Sequence, residues 1–243
     1  MKSHREIYDR IRNLVSKVQR LSPYLLNLGL VYSFQAKMAS LEIMQKYTLE
    51  RIRELFKTSE KEKKKSIYLK DTSRLLNEGI AFFEAYLNAF YSLLQIIGKV
   101  TPYFYDKKKL KQPIPNDTFD KQFRYFANKN PDVDPEYSNY LKNNMIWYDE
   151  LMNNRHAVTH NVSAFLGFGE REIVFIHMPK QRIDFFEKGK PTKKLEEYIL
   201  NNWDSLFSFF NFYVEHFSSR EICVDKEAEL KELRKIHRKQ TSK

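Results

Sequence analysis

Apolar residues recur every three or four positions along most of this chain. Residues 4–20 and 23–57 both follow this helical spacing, and Ser22 with Pro23 suits the start of the second segment. Residues 66–98 continue the pattern as one long helix that ends at a glycine. Only six Gly and eight Pro occur in 243 residues, too few for the many turns of an all-β protein. The sequence therefore predicts an all-α fold.

Polar loops separate the shorter predicted helices. Residues 58–66 form a polar connection, and residues 99–116 hold three Pro and a lysine run, which is typical of a loop. Either Asn116 or Asp117 caps a short helix that ends at Asn128. A second loop follows, and residues 136–154 then form another helix.

One segment departs from the helical pattern. Two runs of β-branched and aromatic residues flank Met178–Gln181, which predicts a small β-hairpin at about residues 170–187. Because a two-stranded hairpin is marginal alone, it has to lie against the helices. Thr192 then starts the last long helix. Its predicted inward positions follow the helical period: Leu195, Ile199, Trp203, Leu206, Phe210, Tyr213 and Phe217.

We expect one helical domain over residues 1–222 and a basic, charged tail over residues 223–243. The single Cys, Cys223, excludes an intrachain disulfide and fits a reducing, cytoplasmic setting. The N-terminus lacks the apolar centre of a signal peptide. Polar residues interrupt the most apolar run, residues 80–98, so we expect a soluble protein that does not span a membrane.

The charge balance suggests an anionic partner. Lys and Arg number 42 against 31 Asp and Glu, which gives a formal net charge of +11. Lysines cluster at residues 61–65, 107–111 and 188–194 and in the tail. Such clusters suit the phosphates of RNA, but they are equally compatible with a solvated, lysine-rich surface. No Gly-rich phosphate loop is present, and we expect no cofactor.

The segment NNRHAVTHN, from Asn153 to Asn161, concentrates residues suited to proton transfer and phosphate binding. Arg155 stays cationic and can hold a phosphate through two parallel hydrogen bonds. His160 can accept or donate a proton near neutral pH, because an unperturbed imidazole has a pKa of about 6.5. His156 can orient this pair or contact the phosphate, and Asn154 and Asn161 flank it. These residues form the candidate site.

The pattern RHAVTH at residues 155–160 resembles the motif of the HEPN superfamily: an Arg, a polar residue, three further residues and a His. The resemblance implies a HEPN-like helical bundle over about residues 66–221, with residues 4–57 as additional N-terminal helices. It also implies a metal-independent endoribonuclease, as in toxins and phage-defence effectors, with an antitoxin or other regulatory protein as a partner. Because the superfamily also contains inactive members, a non-catalytic module that binds RNA or protein is the alternative.

The spacing within the motif bears on the oligomeric state. Five residues at 100° each place Arg155 and His160 about 140° apart on a straight helix. They converge only if the helix starts or ends within the motif, or if a second copy completes the site. Two motifs face each other across a dimer in HEPN enzymes, so the resemblance implies a homodimer.

A polar stripe on the long apolar helix offers support for this site. Its members fall on one helix face, in the order Glu84, Asn88, Tyr91, Ser92 and Gln95. Either the stripe is partly solvated, or it faces the motif and holds Arg155 through Glu84 or Asn88. A buried Arg would need such a partner.

A metal site is the rival interpretation of the two histidines. His156 and His160 are four residues apart and could bind a metal from one helix face. A third ligand would have to come from Asp149, Glu150 or His177, and no HExxH pattern is present. We therefore expect no metal.

Overall fold

A computed structural model describes residues 2–65, 70–160, 164–168, 173–177 and 190–241, which are mostly helical, as predicted. The α-helices are, in chain order, α1 (His4–Leu21), α2 (Pro23–Asn27), α3 (Leu30–Lys65), α4 (Lys70–Val100), α5 (Phe119–Arg124), α6 (Pro135–Asn144), α7 (Ile146–His160), α8 (Leu195–Phe217) and α9 (Lys226–Thr241). Short 3-10 helices cover Thr101–Phe104, Lys107–Lys109 and Pro131–Val133, and a π-helical turn covers Tyr125–Lys129.

Strands β1 (Ala164–Phe168), β2 (Ile173–His177) and β3 (Lys190–Lys194) form an antiparallel sheet in that order within the described residues. The sequence predicted a hairpin whose two strands are connected by Met178–Gln181. Its second arm, at residues 182–187, lies outside the described residues, and β2 is paired with β1 and β3. The hairpin is therefore not confirmed.

The predicted helix over residues 23–57 is divided at Gly29. This glycine has a φ of 57°, a left-handed conformation that most other residues avoid, so the chain turns between α2 and α3. Helix α3 then continues to Lys65, through the stretch expected to be a polar connection. Because Glu and Lys are good helix formers and the stretch lacks Gly and Pro, nothing in its composition ends the helix earlier.

The sequence predicted that helix α4 ends at Gly98, but the helix continues to Val100. A methyl group at this position would lie 3.2 Å from the backbone of Phe119, so the glycine allows α5 to approach closely. Neither Asn116 nor Asp117 caps α5. Thr118 does so, because its hydroxyl accepts a hydrogen bond from the backbone N–H of Lys121. Met145 separates α6 from α7, where one helix had been predicted.

Helix α8 follows the predicted pattern closely. Six of the seven predicted inward residues are fully buried, and only Trp203 is half-buried: the six are Leu195, Ile199, Leu206, Phe210, Tyr213 and Phe217. The apolar period of this segment is long enough to define a helix face without further information.

Contacts within the chain define two compact units. The first unit comprises Met1–Lys37, Ser92–Ile146 and Leu206–Lys243, and the second comprises Met38–Tyr91 and Trp147–Ser205. Aromatic side chains dominate both cores, with Phe126, Tyr137 and Tyr213 fully buried in the first unit and Phe83 and Tyr86 in the second. The expected single domain over residues 1–222 stays a prediction.

The expected basic tail contributes a buried carboxylate to the first unit. In helix α9, Glu229 is 8% exposed, and its Oε2 accepts hydrogen bonds from Ser22 Oγ at 2.8 Å and the Tyr24 N–H at 3.3 Å. Helix α9 is thereby attached to α2.

The stretch Arg74–Phe104 is the one candidate for a membrane span within the described residues. It has a mean hydropathy of 1.4, and half of its apolar window is buried in the protein. Because the core helix of a soluble protein has the same character, the burial is compatible with a soluble protein.

Candidate functional site

Helix α7 carries the RHAVTH segment in the second unit. The helix includes Arg155, His156 and His160 without a break, and His160 is its last residue. The side chain of His160 and all of Asn161 lie outside the described residues. Because the backbone stays helical from Arg155 to His160, these two positions are about 140° apart around the helix axis within one chain.

Arg155 is fixed by two residues of helix α4. Its Nε donates a hydrogen bond of 2.9 Å to the amide oxygen of Asn88. Its guanidinium carbon lies 4.2 Å from the centre of the Tyr91 ring, which is a close cation–π contact. Asn88 and Tyr91 are three residues apart and therefore lie on one face of α4. Of the two partners considered for Arg155, Asn88 is the one that makes the hydrogen bond.

The arrangement leaves the anion-binding end of Arg155 available. Within the described part of the chain, its Nη1 and Nη2 make no hydrogen bond, and no carboxylate pairs with the half-buried guanidinium. These two nitrogens form the planar fork that matches two oxygens of a phosphate. Arg155 can therefore bind a phosphate without first breaking an ion pair to a described residue.

Buried aromatic residues position α4 against α7 and α8 inside the second unit. The Phe90 and Trp147 rings meet edge to face with their centres 5.6 Å apart. The Tyr86 hydroxyl donates a hydrogen bond of 3.2 Å to the carbonyl of Ile199. Because burial raises the pKa of Tyr86 well above its usual value, the phenol stays protonated as a donor.

Asn154 occupies a structural position beside Arg155. It is 5% exposed and lies near the Tyr198 phenol. Burial raises the pKa of Tyr198 to about 12, against the opposing effect of the polar side chains of Asn154 and Asn202. His156, in contrast, is exposed on the outer face of the helix, where a large ligand could reach it.

The residues of the polar stripe of α4 do not all contact the same part of the protein. Glu84 is half-buried and lies one turn before Asn88. Gln95, at the other end, accepts a hydrogen bond of 2.9 Å from the Phe119 N–H in the first unit. The alternative in which the stripe faces the motif therefore does not hold for Gln95, which supports the start of α5.

A second polar cluster, in the first unit, was missed by the sequence analysis. Asp134 Oδ2 is 2.9 Å from His216 Nε2, 2.8 Å from Arg220 Nη1 and 2.6 Å from the Tyr105 hydroxyl, which donates to it. The side chains of Asp134 and His216 are only 5% and 4% exposed. We call Asp134, His216, Arg220 and Tyr105 the Asp134 cluster.

Donors surround the Asp134 carboxylate, and His216 is also 3.2 Å from Glu136 Oε2 through its Nδ1. Burial pushes the pKa of Asp134 upward, but hydrogen bonds from His216, Tyr105 and the Tyr137 N–H outweigh it and hold the pKa at about 2. Arg220 also lies over the Tyr105 and Phe217 rings, 5.5 and 4.9 Å from their centres. The charge of Asp134 is thus compensated inside the protein.

Signals for this cluster were present in the sequence. Asp134 precedes Pro135, a pattern typical of a helix start, and its Oδ1 accepts the Tyr137 N–H at 3.1 Å as an N-cap. His216 and Arg220 are four residues apart at the end of α8, where cations are favourable. No local pattern shows that these two sites meet, because 82 residues separate Asp134 from His216.

The described residues contain no group of three His, Cys, Asp or Glu side chains able to hold a metal ion. The side chains of His160 and His177, which the metal interpretation requires, lie outside that part of the chain.

No family model, no curated protein and no solved structure matches this chain.

Proposed function

We propose that this protein is a metal-independent endoribonuclease of the HEPN kind, in which Arg155 holds the scissile phosphate and His160 transfers a proton. The observation that carries the proposal is the state of Arg155. Its Nε is held by Asn88 at 2.9 Å and its face lies on Tyr91, while Nη1 and Nη2 make no hydrogen bond to a described residue. An arginine oriented in this way is prepared for an external phosphate.

The reaction uses the nucleophile that RNA itself contains. The 2′-oxygen loses its proton to a base and bonds to the adjacent phosphorus, and the bond from phosphorus to the 5′-oxygen breaks. The leaving oxygen takes up a proton, which gives a 2′,3′-cyclic phosphate and a 5′-hydroxyl end. His160 is suited to the proton transfer. Arg155 stabilises the negative charge that grows on the phosphate oxygens.

A homodimer is part of the proposal because of helix α7. The helix continues unbroken from Arg155 to His160, and the two positions are about 140° apart on it. In a two-fold dimer, Arg155 of one protomer and His160 of its partner can serve the same phosphate. The net charge of +11 favours a polyanionic substrate. A toxin or phage-defence effector held in check by a regulatory protein is the biological setting that we propose.

The test is incubation of purified protein with single-stranded and structured RNA in EDTA. We expect cleavage to persist, with cyclic phosphate ends, and His160→Ala to reduce the rate by about 10²–10⁴-fold. Arg155→Lys should not restore full activity, because Lys lacks the planar fork. His156→Ala, on the same helix, is the matched control and should have a milder effect.

Two outcomes would overturn this proposal. Cleavage that requires a divalent metal would indicate that a metal-bound water is the nucleophile. Intact RNA with and without metal, despite measurable binding, would instead favour a non-catalytic HEPN-like module. Light scattering at micromolar concentration tests the dimer separately, and a monomer would count against the shared site.

A further inference from the structure

A cavity of about 550 Å³ opens in the first unit, between the loop after α4 and the π-helical turn after α5. The residues that matter for its chemistry are Leu110, Lys111, Tyr125, Lys129, Asn130 and Asp132. Its volume lies within the roughly 300–1,000 Å³ typical of small-molecule sites. None of these residues belongs to the site proposed around Arg155.

The cavity contains positive charge that the protein does not neutralise. Lys111 and Lys129 are exposed, and neither forms an ion pair with a described residue. Lys109 also lines the cavity, but its Nζ is 3.7 Å from Asp106 and is already paired. Two ammonium groups that lack an ion pair with any described residue suit a dianion.

Asn130, which lines the same cavity, also carries a buried donor. The amide nitrogen Nδ2 of Asn130 is buried and has no hydrogen-bond partner among the described residues. The backbone around it is fixed, because the Asn130 N–H donates to the Tyr125 carbonyl at 2.8 Å and the Asn130 carbonyl accepts from the Val133 N–H at 3.2 Å. An unsatisfied buried donor is costly, and an acceptor oxygen from a ligand would satisfy it.

Other walls of the cavity are also held in place. The Tyr125 hydroxyl donates to the Gln112 carbonyl at 2.8 Å, which attaches the loop carrying Lys111 to the π-helical turn. Tyr105, which also lines the cavity, is anchored to Asp134 through its hydroxyl at 2.6 Å. A binding site with fixed walls loses less entropy when a ligand binds.

Of the two carboxylates in the cavity, Asp106 is paired with Lys109, and Asp132 limits the ligand class. The Asp132 carboxylate has no ion pair with a described residue. Because a carboxylate is an acceptor, it can bind the hydroxyl groups of a ligand. Leu110 and Tyr125 supply apolar surface beside it. We propose that this cavity binds a phosphate monoester whose carbon part carries hydroxyl groups, with the phosphate on Lys111, Lys129 and Asn130 and the hydroxyls on Asp132.

This chemistry has two natural sources, a sugar phosphate and a nucleoside monophosphate. Calorimetric titration of the full chain with ribose 5-phosphate, adenosine monophosphate and inorganic phosphate separates them. We expect saturable binding of at least one monoester, and weaker binding of inorganic phosphate, which has no carbon-bound hydroxyls. Tighter binding of the nucleotide would show that the base contributes, whereas equal binding of both monoesters would show that the site recognises the sugar phosphate alone.

The Lys111→Ala/Lys129→Ala double variant should weaken binding by about tenfold to a hundredfold, because hydrogen bonds to charged groups are lost. The Lys107→Ala/Lys108→Ala double variant is the matched control. It removes the same charge, from the loop that carries Lys111, at exposed residues that do not line the cavity, so binding should change by less than about threefold.

Asn130→Asp tests the buried donor with almost no change in volume. A carboxylate there repels a phosphate, so binding should be lost while circular dichroism and the melting temperature show a folded protein. If Asn130→Asp does not fold, Asn130→Ala takes its place, with an expected loss of about tenfold. The proposal is overturned if no probe binds saturably, or if the control weakens binding as much as the Lys111/Lys129 variant.

Discussion

Arg155 and Arg220 both lie against aromatic rings, but of these two only Arg220 has a carboxylate partner among the described residues. Arg220 in the first unit pairs with Asp134 at 2.8 Å, and that carboxylate also binds His216 and Tyr105. Arg155 in the second unit is held by a neutral amide at 2.9 Å and by the Tyr91 ring at 4.2 Å. A carboxylate partner neutralises the charge of an arginine. An amide partner orients the side chain without neutralising it, so the charge can act on a ligand. The comparison separates an arginine that is paired with a carboxylate from one whose described partners are uncharged.

The largest expected effect concerns stability. Asp134→Ala should lower the free energy of unfolding by about 3–5 kcal/mol, because it leaves Arg220 without its partner and removes the N-cap of α6. Asn88→Ala should cost only about 1 kcal/mol, since it removes one partly buried hydrogen bond. Urea unfolding of both variants provides the measurement. Equal losses would remove the distinction between the two arginine sites.

The second effect is the pH dependence of stability. The folded pKa of Asp134 is about 2, below the value near 3.8 of an unperturbed Asp, so the folded state binds this proton more weakly. The resulting stability, about 2 kcal/mol, is fully present above about pH 4 and is lost as the pH falls to about 2. Unfolding measured between pH 5 and pH 2 should show this loss in the native chain and not in Asp134→Asn. Parallel curves for the two proteins would exclude Asp134 as its source.

The smallest effect concerns the orientation of Arg155. Tyr91→Leu removes the aromatic face, and the contact is worth about 0.5–2 kcal/mol, so kcat/KM for RNA should fall by about 2- to 30-fold. Tyr91→Phe keeps the face and should retain most of the activity. A loss in both variants would assign the effect to the hydroxyl or to folding, and the melting temperature distinguishes these two.

Local sequence patterns predicted which segments are helical more accurately than they predicted where each helix begins and ends. The period from Leu195 to Phe217 defines a helix face by itself, and six of its seven residues are fully buried. The breaks at Gly29 and Met145 depend on one residue each, and Gly98 was misinterpreted because its role is to approach Phe119, a contact between distant segments. Periodicity cannot reveal such contacts.

The same distinction applies to the sites. Helical spacing placed Asn88 and Tyr91 on one face of α4, and it suggested a partner for Arg155 that the structure provides. Helical spacing gave no role to Tyr91, and it grouped Gln95 with the residues near the motif although Gln95 binds Phe119. Spacing defines which residues share a helix face, but it does not show which residues lie opposite that face. Asp134 and His216 were missed for the same reason, since each looks ordinary within its own segment.

The stacking of Arg155 on Tyr91 also has a spectroscopic consequence. A proton held over the face of an aromatic ring is shielded by the ring current, and the hydrogen bond from Nε to Asn88 slows its exchange with water. The Nε–H resonance of Arg155 is therefore expected to persist at neutral pH and to shift when Tyr91→Leu removes the ring. Because a bound phosphate would engage the same guanidinium, this single resonance gives the protein an internal reporter of ligand binding that needs no label and no turnover.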